Sequence, residues 1–527
     1  MVSQPVPPLV APRARSTGSK GWTVLTTLLL LPAVIPPLAL FVSVVGEGSG
    51  LAVPTLRLLE LLGATLLLAA AVTATAVTLG VATAWVTSRL DIPGRRAWIV
   101  VAALPLVMPS YVAALTLIAA TGPGGVISRL FGVVVPSPYG FWGAWLALSV
   151  FTAPLVHVTL IPALRAIDPS LEEAATGLGA ARWRALMTVT LPQLRPALIS
   201  SALLVGLYTI GDFGAVSLLR YDTFTRAIYA LYQGQIDRRP AMTLAAALIV
   251  IAVVILIGER RTRGRATYSV SRPPRRRSLH TPTPRGRLAA LTFLGAYVGI
   301  TLAVPALVLG WWLVRGLGAG QALVFPWTEV GRSLAVAVMA AVATAVAALP
   351  VAMATVRRRS RMAPLFEAGM WGAYSLPHIA IGLAFLVFAV RWIPPLYQTV
   401  PLLIIAYMAM YLPYTVGSVQ DGMHRTSMSV DEASRGLGRG PLQTFWRITL
   451  PLATPGMVAG GLLVFLNTMK ELPATLLLRP SGFETVAVRI WSATGEGLLT
   501  RASAAALVLL LISAIPLLVV MTRDIGD

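Results

Sequence analysis

The sequence predicts an all-α, polytopic membrane protein of about twelve transmembrane helices, arranged as two parallel six-helix repeats. Three observations predict it. Hydrophobic residues make up 56% of the 527 and charged residues only 12%, with a mean hydropathy of +0.78, far from a soluble protein's balance. Apolar runs long enough to cross a bilayer recur along the whole chain. One stretch, Ser170 to Pro196, returns without a gap 259 residues later as Ser429 to Pro455.

That repeated stretch has a shape that can be read locally. Ser170 and Glu173, like Ser429 and Glu432, stand at the spacing of a capping box, in which serine and glutamate satisfy free amides at a helix start. A short helix is therefore expected at both places. Ala174 and Ala433 keep one face of it thin, while Gly177, Gly179, Gly436 and Gly438 can take positive φ and turn the chain. The Leu-Pro pairs at Leu191-Pro192 and Leu450-Pro451 are expected to close the unit, because proline lacks the donor that an interior helical turn needs. The product is a helix-turn-helix elbow between two apolar spans, lying at a membrane face where a soluble partner can reach it.

Glu173-Ala174-Ala175 with Gly179, and Glu432-Ala433-Ser434 with Gly438, each followed by a Leu-Pro ending, resemble the coupling loop of permease subunits of ATP-binding-cassette importers. The resemblance implies a type I importer permease fold in which each loop docks into a groove on one cytoplasmic ATPase subunit. It points to Glu172, Glu173, Ala174, Gly177 and Gly179, and to Asp431, Glu432, Ala433, Gly436 and Gly438, as the ATPase-coupling residues. Completing a capping box is the plainer role for Glu173 and Glu432, and one carboxylate can serve both ends. The second copy departs at Ser434, a change small enough to leave the docking face intact.

Residues 1–21 are Pro-rich and basic and are expected to form a disordered arm. Residues 22–258 form the first permease half, with its coupling loop at 168–196. Its spans are expected at Trp22–Val45, Leu58–Val86, Trp98–Ala120, Gly140–Leu164, Ala197–Leu219 and Ala241–Ile257. Residues 259–287 carry ten arginines among Pro, Ser and Thr and read as a cytoplasmic linker. Residues 288–527 form the second half, with its coupling loop at 427–455 and spans at Leu288–Val314, Ser333–Val356, Ala368–Val390, Tyr397–Val416, Gly456–Leu478 and Ser503–Met521. Arginines between spans two and three, between spans eight and nine, and in the first elbow fall on one side when the spans are counted alternately. The positive-inside rule makes that side the cytoplasm, with both termini and both coupling loops there. From Ser170 to Arg226 there are 20 identities in 57 pairs at the single offset, so the halves are direct repeats. Parallel repeats predict a pathway between them.

The formal charge of +22 sits in short segments beside apolar spans, where it sets orientation and offers no contiguous face to nucleic acid. With no cysteine and four histidines there is no thiolate or clustered metal site in the sequence. No nucleophile-base pair and no phosphate-cradling G-x-x-x-x-G-K-[ST] motif occurs. The chain is thus expected not to be an enzyme and to hold no cofactor, with ATP bound by the partner subunits. A bilayer, two ATPase subunits and an extracytoplasmic substrate-binding protein are the partners this reading requires.

Asp212 and Glu471 are equivalent by the repeat and lie in apolar runs, where ionisable groups are expensive and tend to face a pathway or a partner. The alternative is that they hold packing together at the membrane interface. Gly211 with Gly214, and Pro473, suggest that each helix is broken there. Tyr208, Asn467, Tyr374, Ser375 and His378 are further candidates to line the path. The stretches from Gly211 to Tyr229 and from Lys470 to Trp491 resemble the fused two-half permeases of ferric-iron importers, with thiamine, polyamine and organophosphonate permeases also related. An ion-coupled secondary transporter is the rival reading, and it leaves the duplicated elbow without a purpose.

Overall fold

The computed structural model describes residues 19–46, 52–133, 135–167, 169–262, 280–321, 325–357, 362–424, 430, 434 and 436–526. Among these, every regular element is a helix, and the one β feature is an isolated bridge between Leu90 and His280. In the first half α1 (Ser19–Gly46) and α2 (Thr55–Arg89) are followed by α3 (Arg95–Val101), α4 (Ser110–Thr121), α5 (Val126–Phe131) and α6 (Phe141–Ala166). The elbow contributes α7 (Pro169–Gly177) and α8 (Arg182–Ala185), and α9 (Leu191–Gly211), α10 (Gly214–Leu218), α11 (Phe224–Gly234) and α12 (Arg239–Thr262) complete the half. The second half runs α13 (Pro284–Val298), α14 (Val304–Gly318), α15 (Trp327–Ala352), α16 (Ala363–Tyr374), α17 (His378–Trp392), α18 (Val400–His424), α19 (Pro441–Thr444), α20 (Leu450–Met469), α21 (Pro473–Leu478), α22 (Val486–Gly495) and α23 (Leu499–Gly526).

Eleven stretches of the described residues are long and apolar enough to cross a membrane, and twelve if the bent pair α16 and α17 is taken as one span. The expected spans at Trp98–Ala120 and Ala368–Val390 are therefore corrected: both are broken. Pro109 and Pro377 each precede a new helix start, and α16 meets α17 at 106°. Proline donates no hydrogen bond and disfavours helix in the residue before it, which is what a break at depth needs.

The Leu-Pro pairs do not close the elbows as expected. The chain stays helical from Arg182 through a π-helical turn, Leu186–Thr190, into α9, and from Pro441 through another, Phe445–Thr449, into α20. A third π turn, Gly299–Ala303, precedes Pro305. In all three the proline is the second residue after the wide turn. Widening moves the preceding carbonyls away from the ring and leaves the missing donor unneeded, so the span continues.

α2 packs on α6 and α9, and α15 packs on α18 and α20, the same arrangement in each half. α18 and α20 touch backbone to backbone: a Cβ on Gly460 would stand 2.4 Å from the Cα of Thr415. Small residues permit such close approach between helices in lipid. Gly460→Leu is expected to lower the melting temperature of the detergent-purified chain by several degrees through overpacking, whereas Gly310→Ala, with open space around it, is expected not to.

The first span of each half reaches the other. α1 lies mainly against α15, α16, α17 and α18, and the Thr26 hydroxyl donates to the Pro350 carbonyl at 3.2 Å. α14 packs mainly on α23 of its own half but also rests on α4, where Trp312 Nε1 donates to the Ala119 carbonyl at 3.0 Å, and Leu294 of α13 packs with Ile92 and Trp98. Of the linker, residues 259–262 belong to α12, 263–279 lie outside the described residues, and His280 is paired to the loop after α2 through Arg89 and Asp91. Most of the N-terminal arm, residues 1–18, also lies outside them.

Candidate functional site

Two places gather the residues that the sequence singles out, and they sit at opposite ends of α9 and α20. The 21 residues of α9 separate them by roughly 30 Å at 1.5 Å per residue.

At one end are the elbows. α7 starts at Pro169, so Ser170 and Glu173 both belong to its opening turns. The turn is then closed through Gly179 at φ +88, where Ala180 N–H donates to the Ala175 carbonyl at 3.1 Å and Gly179 N–H to Thr176 at 3.0 Å. Gly438 repeats this at φ +80, with Arg439 N–H donating to Ser434 at 3.2 Å. Gly179 and Gly438 carry the left-handed turn; Gly177 and Gly436 do not. Glu173 and Ala174 are exposed, and the tip residues Leu178 and Leu437 are 91% and 79% exposed. Asp431, Glu432 and Ala433 lie outside the described residues.

Glu172 turns the other way. Its Oε1 accepts from the Thr190 hydroxyl and stands 3.3 Å from Nη2 of Arg89, a buried side chain at the end of α2. This pair fastens the first elbow to the bundle. In the second elbow Ser434 hydrogen bonds Thr444 at 3.0 Å, both buried, at the positions where the first copy has Ala175 and Ala185. Ser434 therefore faces α19 and not the elbow's outer surface, and the two repeats fasten the same contact differently.

At the other end is a cavity of about 220 Å³ on the seam between the halves. Tyr208, Asp212, Tyr374, His378, Asn467 and Glu471 all line it, together with Ser375. α9 ends at Gly211 and α20 at Met469, so the helices break where Gly211, Gly214 and Pro473 suggest. Each acid caps the short helix beyond the break. Asp212 Oδ1 accepts from Ala215 and Val216 N–H at 3.0 and 3.3 Å, and Glu471 Oε1 accepts from Ala474 N–H at 3.1 Å. Both are nearly buried, 7% and 5% exposed, so they do not mark a wet interface. The second oxygen of Glu471 accepts from His378 Nδ1 at 2.8 Å and from the Tyr411 hydroxyl at 2.6 Å. Asn467 donates to Leu463 at 2.8 Å, and the hydroxyls of Tyr374 and Tyr414 meet at 2.9 Å.

The halves touch here. The Tyr111 hydroxyl donates to the Lys470 carbonyl at 3.3 Å, Lys470 Nζ donates back to Leu106 at 3.1 Å, and Gly211 faces Pro377. Lys470 does not pair with its neighbour Glu471, as adjacency on a helix predicts. Sequence reasoning missed Ser110, Tyr111, Lys470, Tyr411 and Tyr414. The signal for part of the set was present: Tyr407, Tyr411 and Tyr414 recur at i, i+4 and i+7, one helix face. His157, by contrast, is a packed residue, buried with Nε2 3.2 Å from the Ile99 carbonyl.

No group of three or more His, Asp or Glu side chains suited to a metal ion occurs among the described residues. Comparison with known proteins agrees with this architecture. The chain is 32% identical over 501 residues, 94% of its length and 96% of the relative's, to the Fe(3+)-transport system permease protein FbpB 2 of Haemophilus influenzae. It is 26% identical over 484 residues, 86% of its length and 70% of the relative's, to the ferric transport system permease protein FbpB of Actinobacillus pleuropneumoniae. Over 188 residues, 34% of its length and 81% of the relative's, it is 35% identical to the molybdenum transport system permease protein ModB of Escherichia coli. Residues 76–258 and 292–523 each match one family, transport permeases that work with a binding protein and an ATPase. A twice-occurring domain, eleven to twelve spans and near full-length relatives thus lead to one conclusion: this chain belongs to the binding-protein-dependent transport system inner membrane component family.

Proposed function

We propose that the chain is the fused permease of an ATP-driven importer for ferric iron, moving its cargo inward by alternating access. The observation that carries the cargo is the near full-length likeness, at 32% identity, to a protein named as an Fe(3+)-transport permease. The molybdenum permease, by comparison, matches about a third of the chain. The pathway is the seam cavity, lined by Tyr208, Asp212, Tyr374, His378, Asn467 and Glu471.

Both elbows face the cytoplasm, as the arginines grouped beside them favour, and each receives one ATPase subunit. The coupling surface is Glu173, Ala174 and the tip Leu178 in the first copy, and Glu432, Ala433 and Leu437 in the second. Gly177, Gly179, Gly436 and Gly438 shape the two turns. Glu172 holds the first elbow to the bundle, and Asp431 is its counterpart in the second copy by sequence. Exposure of large leucines at both tips supports this, since a membrane-face loop with no partner has no reason to present them. The extracytoplasmic binding protein delivers at the opposite end, and ATP stays on the ATPase subunits, so the chain itself carries no cofactor.

The test is reconstitution of the chain with its ATPase in lipid vesicles. An iron-loaded binding protein is expected to stimulate ATP hydrolysis and iron uptake; stimulation by a thiamine- or molybdate-loaded partner instead would sink the cargo assignment. Leu178→Asp with Leu437→Asp is expected to abolish co-purification of the ATPase while the chain still inserts. Full retention of the ATPase would remove the elbows from the docking surface.

A further inference from the structure

We infer that Glu471, His378 and Tyr411 form a transient coordination site for Fe(III) in the wall of the seam cavity, supplied by the second half alone. The inference rests on the ferric reading of the cargo and gives it a chemical address.

The argument is one of spacing. His378 Nδ1 and the Tyr411 hydroxyl lie 2.8 and 2.6 Å from the same carboxylate oxygen, Oε2 of Glu471. Donors held octahedrally around a metal at bonds near 2.0–2.1 Å stand about 2.9 Å from their neighbours. Two of the three donor pairs already stand near that separation, with Oε2 common to both, so a cation can take the place of the shared protons with modest movement. The donor set is phenol, carboxylate and imidazole, with no thiol in the chain, which suits a hard cation.

The proton balance follows from the hydrogen bonds. A carboxylate oxygen only accepts, so both Tyr411 and His378 Nδ1 carry a proton toward it. Binding of Fe(III) forms one bond each to the phenolate oxygen, Nδ1 and Oε2; the phenolic proton leaves to solvent, and the Nδ1 proton is lost from an imidazolium or, in the neutral ring, replaced by one on Nε2, so that the ligand is a neutral imidazole in either case. Three protein donors leave the remaining positions to water or to ligands that arrive with the ion. The Lys470 ammonium, part of the same wall, opposes the positive charge. Both features keep the site weak, and a site on a path must release what it binds.

The repeat supplies the contrast. At offset 259 the first half has Asp212 for Glu471 but Thr152 for Tyr411, and Thr152 is turned to its own helix, donating to Leu148 at 2.7 Å. At the start of the helix after the break, where the second half has His378 behind Pro377, the first has Ser110 behind Pro109. Packing alone gives no reason for a half-buried histidine and a buried tyrosine to meet one acid on only one side.

The experiment uses the full-length chain in nanodiscs, titrated with ferric nitrilotriacetate. A phenolate-to-iron charge-transfer band in the visible is expected to saturate near one equivalent, to be lost in Tyr411→Phe, to persist in Tyr374→Phe, and to be absent with gallium(III) nitrilotriacetate. His378→Gln is expected to weaken iron binding at least tenfold. No band in the wild type, or a band undiminished in Tyr411→Phe, overturns the site. If Tyr411→Phe does not stay monodisperse, His378→Gln decides, and an unchanged affinity overturns it. The cargo reading fails separately: vesicles holding the complete transporter would take up no iron. Iron uptake with no band leaves the cargo standing and removes the site.

Discussion

Glu172→Ala releases the first elbow from the bundle. The substitution leaves Arg89 buried at the end of α2 without the carboxylate it faces, and breaking one side of a buried pair costs about 3–5 kcal/mol. The Thr190 hydroxyl loses its acceptor as well. The expected outcome is faster proteolysis within 169–190 and a large loss of ATP-driven uptake, with the ATPase still bound through the exposed tip. The double variant Glu172→Leu with Arg89→Leu separates two explanations, because replacing both charges with apolar groups of similar size is often neutral for stability. If the double variant regains protease resistance and uptake, the pair only anchors. If it regains resistance but not uptake, the charges themselves take part in coupling. Wild-type uptake in Glu172→Ala would show that the elbow needs no ionic fastening.

Gly179→Val combined with Gly438→Val uncouples transport from ATP hydrolysis. Both glycines sit in left-handed backbone, φ +88 and +80, with nothing within 4 Å of an added Cβ, so the effect is conformational and not steric. An L-residue there costs roughly 1–2 kcal/mol per site and more when β-branched. The elbow escapes that cost by opening its turn, which moves Leu178 and Leu437. Insertion and thermal stability of the bundle are expected to be near wild type while uptake falls more than tenfold. Gly177→Ala and Gly436→Ala, at helical positions, are expected to retain uptake. A double valine variant that transports at the original rate would mean that the turn is not part of the drive.

Much of this was readable in advance because it is encoded locally. The capping-box spacing, the paired glycines and the fixed offset are short-range patterns, and they located both elbows. The seven path candidates are polar residues in apolar runs, and they converge on one cavity because polar groups in lipid must find each other or a pathway. What was not readable depends on contacts far apart in sequence. Nothing around Glu172 distinguishes it from Glu173, since the difference is Arg89 waiting at the end of another helix. The Leu-Pro pairs look like stops because propensity rules treat proline as an interior breaker; a π turn ahead of each, and lipid around it, lets the helix run on. Pro109 and Pro377, which do break their spans, look no different locally. Tyr411 acquires meaning only when α18 is laid beside Glu471.

The seating of α1 on the opposite half has a consequence for how the protein is made. α1 leaves the ribosome first, yet α15 to α18 are translated only after the entire linker. Until then its three prolines and its apolar surface must wait in lipid or beside an insertase, unfinished. Biogenesis is therefore a single event in which neither moiety matures before its sibling arrives, and a joined reading frame guarantees that the sibling is always one-to-one and close by.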